Sequence, residues 1–258
     1  MTRLFTALKI LLLCLSTEVS ARELRLVSLT PAITQTLDAL GGGTYLIGAD
    51  RASGRKDLPV IADYRQINVE AIVRLNPSHV IAWQDSLKPG VKTQLERFGI
   101  QVLVSQTQSI QQWLSSSRQI AMELELTSDP IQLWENELKR IESLYARRQP
   151  IPTAWLFWDR PIMVAGNLGF TSEVMGICGL QNVFEDIGLV TATIDPEQLL
   201  RRSPRALIGR AEPIDPTLWE SSPIIWEPPS DSLSQPGPAL PLGIVTLCEA
   251  LDPIRSSL

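Results

Sequence analysis

The sequence predicts an α/β fold of two Rossmann-like lobes joined by a single long helix, with a ligand cleft between them. Three observations predict it. Short apolar strands alternate with helical segments along most of the chain, the pattern of a mostly parallel sheet covered by helices. A helical stripe of Ile131, Trp134, Leu138, Ile141 and Tyr145 breaks that alternation near the middle. One helix-strand unit also occurs twice without a gap, as INVEAIVRLNPSHVIA at 67–82 and IDPEQLLRRSPRALIG at 194–209.

Residues 1–21 are not part of this fold. Arg3 and Lys9 make a positive region ahead of an apolar run, Ile10 to Leu15, too short to span a bilayer, and Val19-Ser20-Ala21 is a small-residue cleavage site. This predicts an export signal removed near Ala21. The N-terminal lobe is expected over 22–126. ELRLVSLTPAITQTLDALG opens as an alternating strand and turns at Thr30-Pro31, an N-cap followed by Pro at the first helical position. Ile33, Leu37 and Leu40 then follow at helical spacing, and Gly41 to Gly43 end the helix. Those glycines lack the Lys-Ser/Thr of a phosphate cradle and follow a helix rather than precede one, so they read as a cap. TYLIGAD, a helix from Asn68, HVIAW, a helix near Val91 to Phe98, IQVLVS and a helix near Ile110 to Leu124 complete the lobe.

The linking helix is expected over 127–149. Thr127 to Asp129 offer N-caps, Pro130 starts the helix, it runs to Arg148, and Pro150 and Pro152 stop it. The C-terminal lobe, 150–258, resumes the alternation. TAWLFWD and PIMVAG read as strands joined by a tight turn, and FTSEVMGICG as a capped helix. A helix from Asp195, the strands RALIG and PIIW, and a last helix near Ala239 to Leu251 follow.

Composition narrows the function. The chain has 258 residues, ample apolar content and a formal net charge of -5, which argues against a nucleic-acid partner. Its one histidine, His79, opens an apolar strand and reads as structural. No G-x-S-x-G elbow, dinucleotide fingerprint or metal-ligand cluster occurs, and no carboxylate spacing singles out an acid/base pair. Binding is therefore expected rather than catalysis, with no metal site and no cofactor. Removing the signal removes Cys14 and leaves Cys178 and Cys248. An even count after export favours a disulfide, with two buried thiols as the alternative.

In the repeat, Ile67, Glu70, Arg74, Pro77 and Ile81 recur as Ile194, Glu197, Arg201, Pro204 and Ile208. Asn68 and Asp195 are N-cap residues, and each glutamate falls in a first turn, where the helix macrodipole favours a carboxylate. Each glutamate serves its helix start, or the two form paired acidic knobs for one basic partner that straddles the lobes. Tyr64 and Trp83, at loop and strand ends, are candidates for the cleft lining, with core packing as the alternative.

The motifs RLVSLTPAITQTL, ADYRQINVEAIVRLNPSHVIAW, GICGLQNVFED, IDPEQLLRRSP and LCEAL together make the chain resemble the helical-backbone class of substrate-binding proteins for cobalamin, haem and ferric siderophores, and its cobalamin branch most. The resemblance covers essentially the whole chain after the signal. It implies a monomer in the periplasm that delivers cobalamin or another corrinoid, a small-molecule metal chelate, to the membrane permease subunits of an ABC importer. It implies that Glu70 and Glu197 dock on the permease, that Cys178 and Cys248 form a disulfide, and that Tyr64 and Trp83 face the ligand. On the C-terminal side, Met163 and Thr191 stand where the cobalamin branch carries Phe and Trp. Asp231 matches an acidic ligand contact but is followed by Ser232 instead of an aromatic residue. The expected ligand set is thus Tyr64, Trp83, Met163, Thr191 and Asp231, with a second wall that has lost its large aromatic faces. A ferric siderophore or haem is the alternative cargo, for which Arg51, Arg55 and Arg65 are available cationic groups.

Overall fold

The computed structural model describes residues 23–209, 219 and 222–257; the expected export signal at 1–21 lies outside them. The first sheet is built from β1 (Leu26–Ser28), β2 (Leu46–Asp50), β3 (Val60–Ala62), β4 (His79–Trp83) and β5 (Gln101–Ser105), in the order β3-β2-β1-β4-β5. Every neighbouring pair is parallel. Its helices are α1 (Pro31–Ala39), α2 (Val69–Leu75), α3 (Val91–Arg97) and α4 (Ile110–Glu123). A parallel sheet is covered on both faces, so its strands carry apolar residues on both sides. Leu26, Val27, Val80, Ile81 and Ala82 are accordingly all buried.

The end of α1 follows the predicted glycine cap. Gly41 adopts φ 83°, a left-handed conformation that costs glycine nothing, and the Gly42 N–H reaches back to Leu37 O at 2.7 Å. Thr30 holds the predicted N-cap position in extended backbone, yet its hydroxyl makes no capping bond.

The chain passes to the second sheet through α4 and α5 (Asp129–Tyr145). The predicted stripe on α5 is buried at Ile131, Leu138, Ile141 and Tyr145, and Trp134 stacks on Trp113 of α4 at 5.2 Å between centroids. The helix ends before Arg148, whose N–H bonds Tyr145 O in a following turn.

The second sheet contains β6 (Ile151–Asp159), β7 (Ile162–Ala165), β8 (Leu180–Asn182), β9 (Thr191–Ile194), β10 (Ala206–Ile208) and β11 (Ile224–Trp226). Its order is β11-β10-β6-β7-β9, with β8 beside the start of β6. Helices α6 (Phe170–Ile177), α7 (Pro196–Arg202) and α8 (Leu240–Leu251) accompany it. From the other edge the order β9-β7-β6-β10-β11 repeats the first sheet's β3-β2-β1-β4-β5. The difference is β7, which is antiparallel to both neighbours, while the other five strands share one direction and keep the sheet mostly parallel. The cause is the connection: Arg160 and Pro161 alone join β6 to β7, and so short a link permits only a hairpin, whereas a parallel neighbour needs a crossover.

Cys178, the C-cap of α6, is bonded to Cys248 of α8 with Cα atoms 4.9 Å apart. One continuous cluster of buried side chains joins Ile110, Trp113 and Leu114 of α4 and the α5 stripe to Ile151, Trp155, Val174 and Leu247. A polar tie crosses the same junction, because Glu173 of α6 accepts the Ile110 N–H at the start of α4 at 2.8 Å.

Candidate ligand-binding and docking site

The sequence repeat is a structural repeat. Both α2 and α7 have seven residues, follow an edge strand, and precede a strand that lies beside the sheet's first strand. Asn68 Oδ1 accepts the Ala71 N–H at 2.9 Å, and Gln198 Oε1 accepts the Asp195 N–H at 3.1 Å, so each helix start is tied down. Each helix ends in a left-handed residue other than glycine, Asn76 at φ 47° and Ser203 at φ 44°, ahead of Pro77 and Pro204. Glu70 and Glu197 are the second residues of these helices, and both are exposed. Since β9 runs parallel to β6 as β3 does to β1, each glutamate stands beyond the carboxyl end of its sheet at the corresponding edge. Glu70 pairs with Arg74 across one turn at 3.1 Å.

In the first sheet, connections leave to one side from β1 and to the other through β4, so the crevice between the carboxyl ends of β1 and β4 is the topological switch point. Open α/β sheets bind ligands there. Trp83 is the last residue of β4 and is half-buried, its packed side against the cluster around Leu26, Leu37 and Ile81. Tyr64 lies in the loop after β3 and is 88% exposed. That loop is shaped by Asp63, whose Oδ1 accepts the N–H groups of Arg65 and Gln66 and whose carboxyl is held below the usual carboxylate range by them. Arg65 Nε donates to Tyr64 Oη at 2.7 Å, and its guanidinium lies 5.1 Å from the Tyr64 ring centroid. Lys88, from the segment after Trp83, donates to Arg65 O at 2.7 Å and brings the two aromatic loops together. Arg51 and Asp63 line a small polar cavity of about 140 Å³ beside them. Asp50, at the end of β2, is pushed above the usual carboxylate range by burial. Arg55 is committed to Asp38 and Asp57.

The second lobe places its predicted contacts on two elements. Met163 pairs with Thr193 and Ala165 with Thr191, so Met163 and Thr191 share one face of the β7–β9 ribbon, at opposite ends of it. Asp231 is exposed in a short 3-10 turn after β11, at the far edge of the sheet. The structure differs from expectation in one respect: this lobe has a large exposed aromatic face. Trp158, next to last in β6, is 60% exposed, pairs with Met163, and donates its Nε1–H to Arg160 O at 2.9 Å. The rule that singled out Trp83, an aromatic residue at the end of an apolar strand, identifies Trp158 as well, but WLFWD reads as an ordinary buried strand. His79 sits at the opposite end of β4 from Trp83, with Nδ1 2.9 Å from Ser78 Oγ, a structural position. A groove of about 390 Å³ between α4, α5 and α6 holds none of the predicted contacts. Among the described residues, no cluster of three or more His, Cys, Asp or Glu side chains can hold a metal ion.

Known proteins match this architecture. A curated vitamin B12-binding protein of Vibrio vulnificus is 28% identical over 261 residues, covering 93% of this chain and 94% of its own. The crystal structure of the periplasmic vitamin B12 binding protein of Vibrio cholerae superposes with a TM-score of 0.74 at 22% identity, over 91% of this chain and 98% of its own. The periplasmic haem binding protein of the same organism superposes equally well, at 0.74 and 21% identity, over 89% and 99%. Residues 26–223, most of the chain and both helix-strand repeats, match the periplasmic binding protein family. On the strength of that match and the paired sheets, the chain belongs to the periplasmic binding protein family.

Proposed function

We propose that the protein captures cobalamin or a related corrinoid between its two lobes and delivers it to the membrane subunits of an ABC importer. Delivery rests on one observation, the matched placement of Glu70 and Glu197 at the second position of equivalent helices. A basic partner that straddles both lobes would meet one carboxylate on each. The cargo rests on the vitamin B12-binding relatives and on Trp83 at the switch point, where an indole suits a flat macrocycle. In this reading Tyr64, whose loop is tied by the Lys88–Arg65 bond to the segment after Trp83, joins Trp83 on the first lobe, with Met163, Thr191 and Asp231 as the contacts of the second. Residues 1–21 serve as the export signal that brings the chain to the periplasm, with cleavage near Ala21.

Isothermal titration of purified, oxidised residues 22–258 with cyanocobalamin, and with cobinamide in parallel, tests the cargo. One site per chain with a Kd of about 1 μM or tighter is expected, equivalent to roughly -8 kcal/mol. No heat from either compound in a folded protein rules out the corrinoid.

A ferric macrocycle such as haem is the second reading, favoured by the Tyr64–Arg65 pair. The Tyr64 phenol oxygen, oriented by the Arg65 Nε–H, is a hard oxygen donor of the kind that suits a ferric ion, and tyrosine is an established haem ligand type. Haemin binding that is lost in Tyr64→Phe, with no response to either corrinoid, would move the cargo to this class.

A further inference from the structure

A planar macrocycle held between two lobes needs an apolar face on each side. Trp83 offers one on the first lobe. On the second, Met163 is flexible and Thr191 is small and polar-tipped. We propose that Trp158 is the aromatic wall of the second lobe and determines the affinity for a flat macrocyclic chelate. This rests on the reading of the site as a receptor for such a chelate.

Position is the first argument. β6 is the second sheet's counterpart of β1, and β10 the counterpart of β4, so the crevice between β6 and β10 corresponds to the one that Trp83 borders. Trp158 stands at the carboxyl end of β6, beside that crevice. The second argument is exclusion on the neighbouring strand. The repeat places Arg210 where the first lobe has Trp83. The residue before it, Gly209, adopts φ 112°, and a Cβ there would lie 2.2 Å from Leu156 O. The end of β10 is therefore pressed against β6, and the aromatic group comes from β6 itself. Exposure is the third. Trp155, three residues earlier on the same strand, is 4% exposed, whereas Trp158 is 60% exposed. The Nε1–H bond to Arg160 O restrains the indole and leaves its ring uncovered, with Met163 directly across the hairpin. An indole restrained before binding loses little freedom on contact and buries a large area.

The test compares the unaltered protein with Trp158→Ala and Trp158→Phe in titrations with cyanocobalamin and with haemin, alongside thermal unfolding of each. Trp158→Ala is expected to weaken whichever macrocycle binds by about tenfold or more, and Trp158→Phe to stay within about threefold. Unfolding midpoints should remain close, because the ring is mostly in solvent. Equal affinity in the unaltered protein and Trp158→Ala overturns this assignment and leaves the receptor reading standing. A lowered midpoint in Trp158→Ala with unchanged affinity also overturns it, by making the residue structural. Failure of the unaltered, folded protein to bind either macrocycle overturns the receptor reading and this assignment with it.

Discussion

Glu70 and Glu197 are the residues whose roles separate most cleanly from stability. The Glu70–Arg74 pair is open to solvent, with side chains 81% and 71% exposed, so it contributes little to folding. Each carboxylate gains about 0.3–1 kcal/mol from its helix start, which is all the fold loses on truncation. The double substitution Glu70→Ala with Glu197→Ala is therefore expected to leave ligand affinity unchanged and to reduce ligand import by about tenfold or more, as loss of two charge contacts with a basic partner would. Uptake in vesicles carrying the permease, beside titration of the free protein, distinguishes the effects. Weakened ligand binding in the double variant would place these residues in the ligand site instead.

The helices of the second sheet depend on covalent and ionic ties near the chain end. The Cys178–Cys248 bond joins α6 to α8 across a sequence separation of 70. Closing a loop of that size stabilises by roughly 4 kcal/mol in the chain-entropy model. Cys178→Ser with Cys248→Ser should lower the urea midpoint accordingly while cobalamin affinity at low denaturant persists. An unchanged midpoint would mean that the packing of α5 against α6 and α8 holds the lobe without the bond. Arg255 extends the same tie by donating to Cys178 O, Gly179 O and Gln149 O, and Asp252 bridges Arg148 and Arg255.

The two sheets are joined by the buried cluster that runs from α4 through α5 into the second sheet, and Glu173, an exposed residue beside it, adds a polar tie to the start of α4. Burial pushes the Glu173 carboxyl above its ordinary value, outweighing the Ile110 N–H bond that favours the charged form. A carboxyl raised in the folded state contributes its full stability when protonated, and that contribution falls as pH rises through its ordinary value toward the raised one. Unfolding free energies of the protein and of Glu173→Gln, measured from about pH 4 to 8, should therefore converge or cross as pH rises, with the unaltered protein relatively more stable at the acid end. A difference independent of pH would show that Glu173 does not titrate in this range. Removing the acceptor altogether, Glu173→Ala, should cost about 1 kcal/mol by leaving the Ile110 N–H unpaired.

Much of this arrangement is local and could be read from the chain. Asn68, Asp195 and the prolines after Asn76 and Ser203 mark two equivalent helices because capping and chain termination act over three or four residues. The α5 stripe and the apolar strands β1, β4, β5 and β6 carry their own periodicity. Three strands did not announce themselves. β3, β8 and β9 exist because a neighbouring strand supplies their hydrogen bonds, which no pattern within their own segments records. The exposure of Trp158 was hidden for a related reason. Trp155 and Trp158 are the same residue type on one strand, three positions apart, and only the strand-end position of Trp158 separates them along the chain. The body of the sheet covers Trp155, whereas Trp158 lies at the end of β6 beside the hairpin. Burial depends on which distant segments arrive overhead, so capping and periodicity were decided along the chain, while the exposure of Trp158 was decided only when the two halves of the second sheet met.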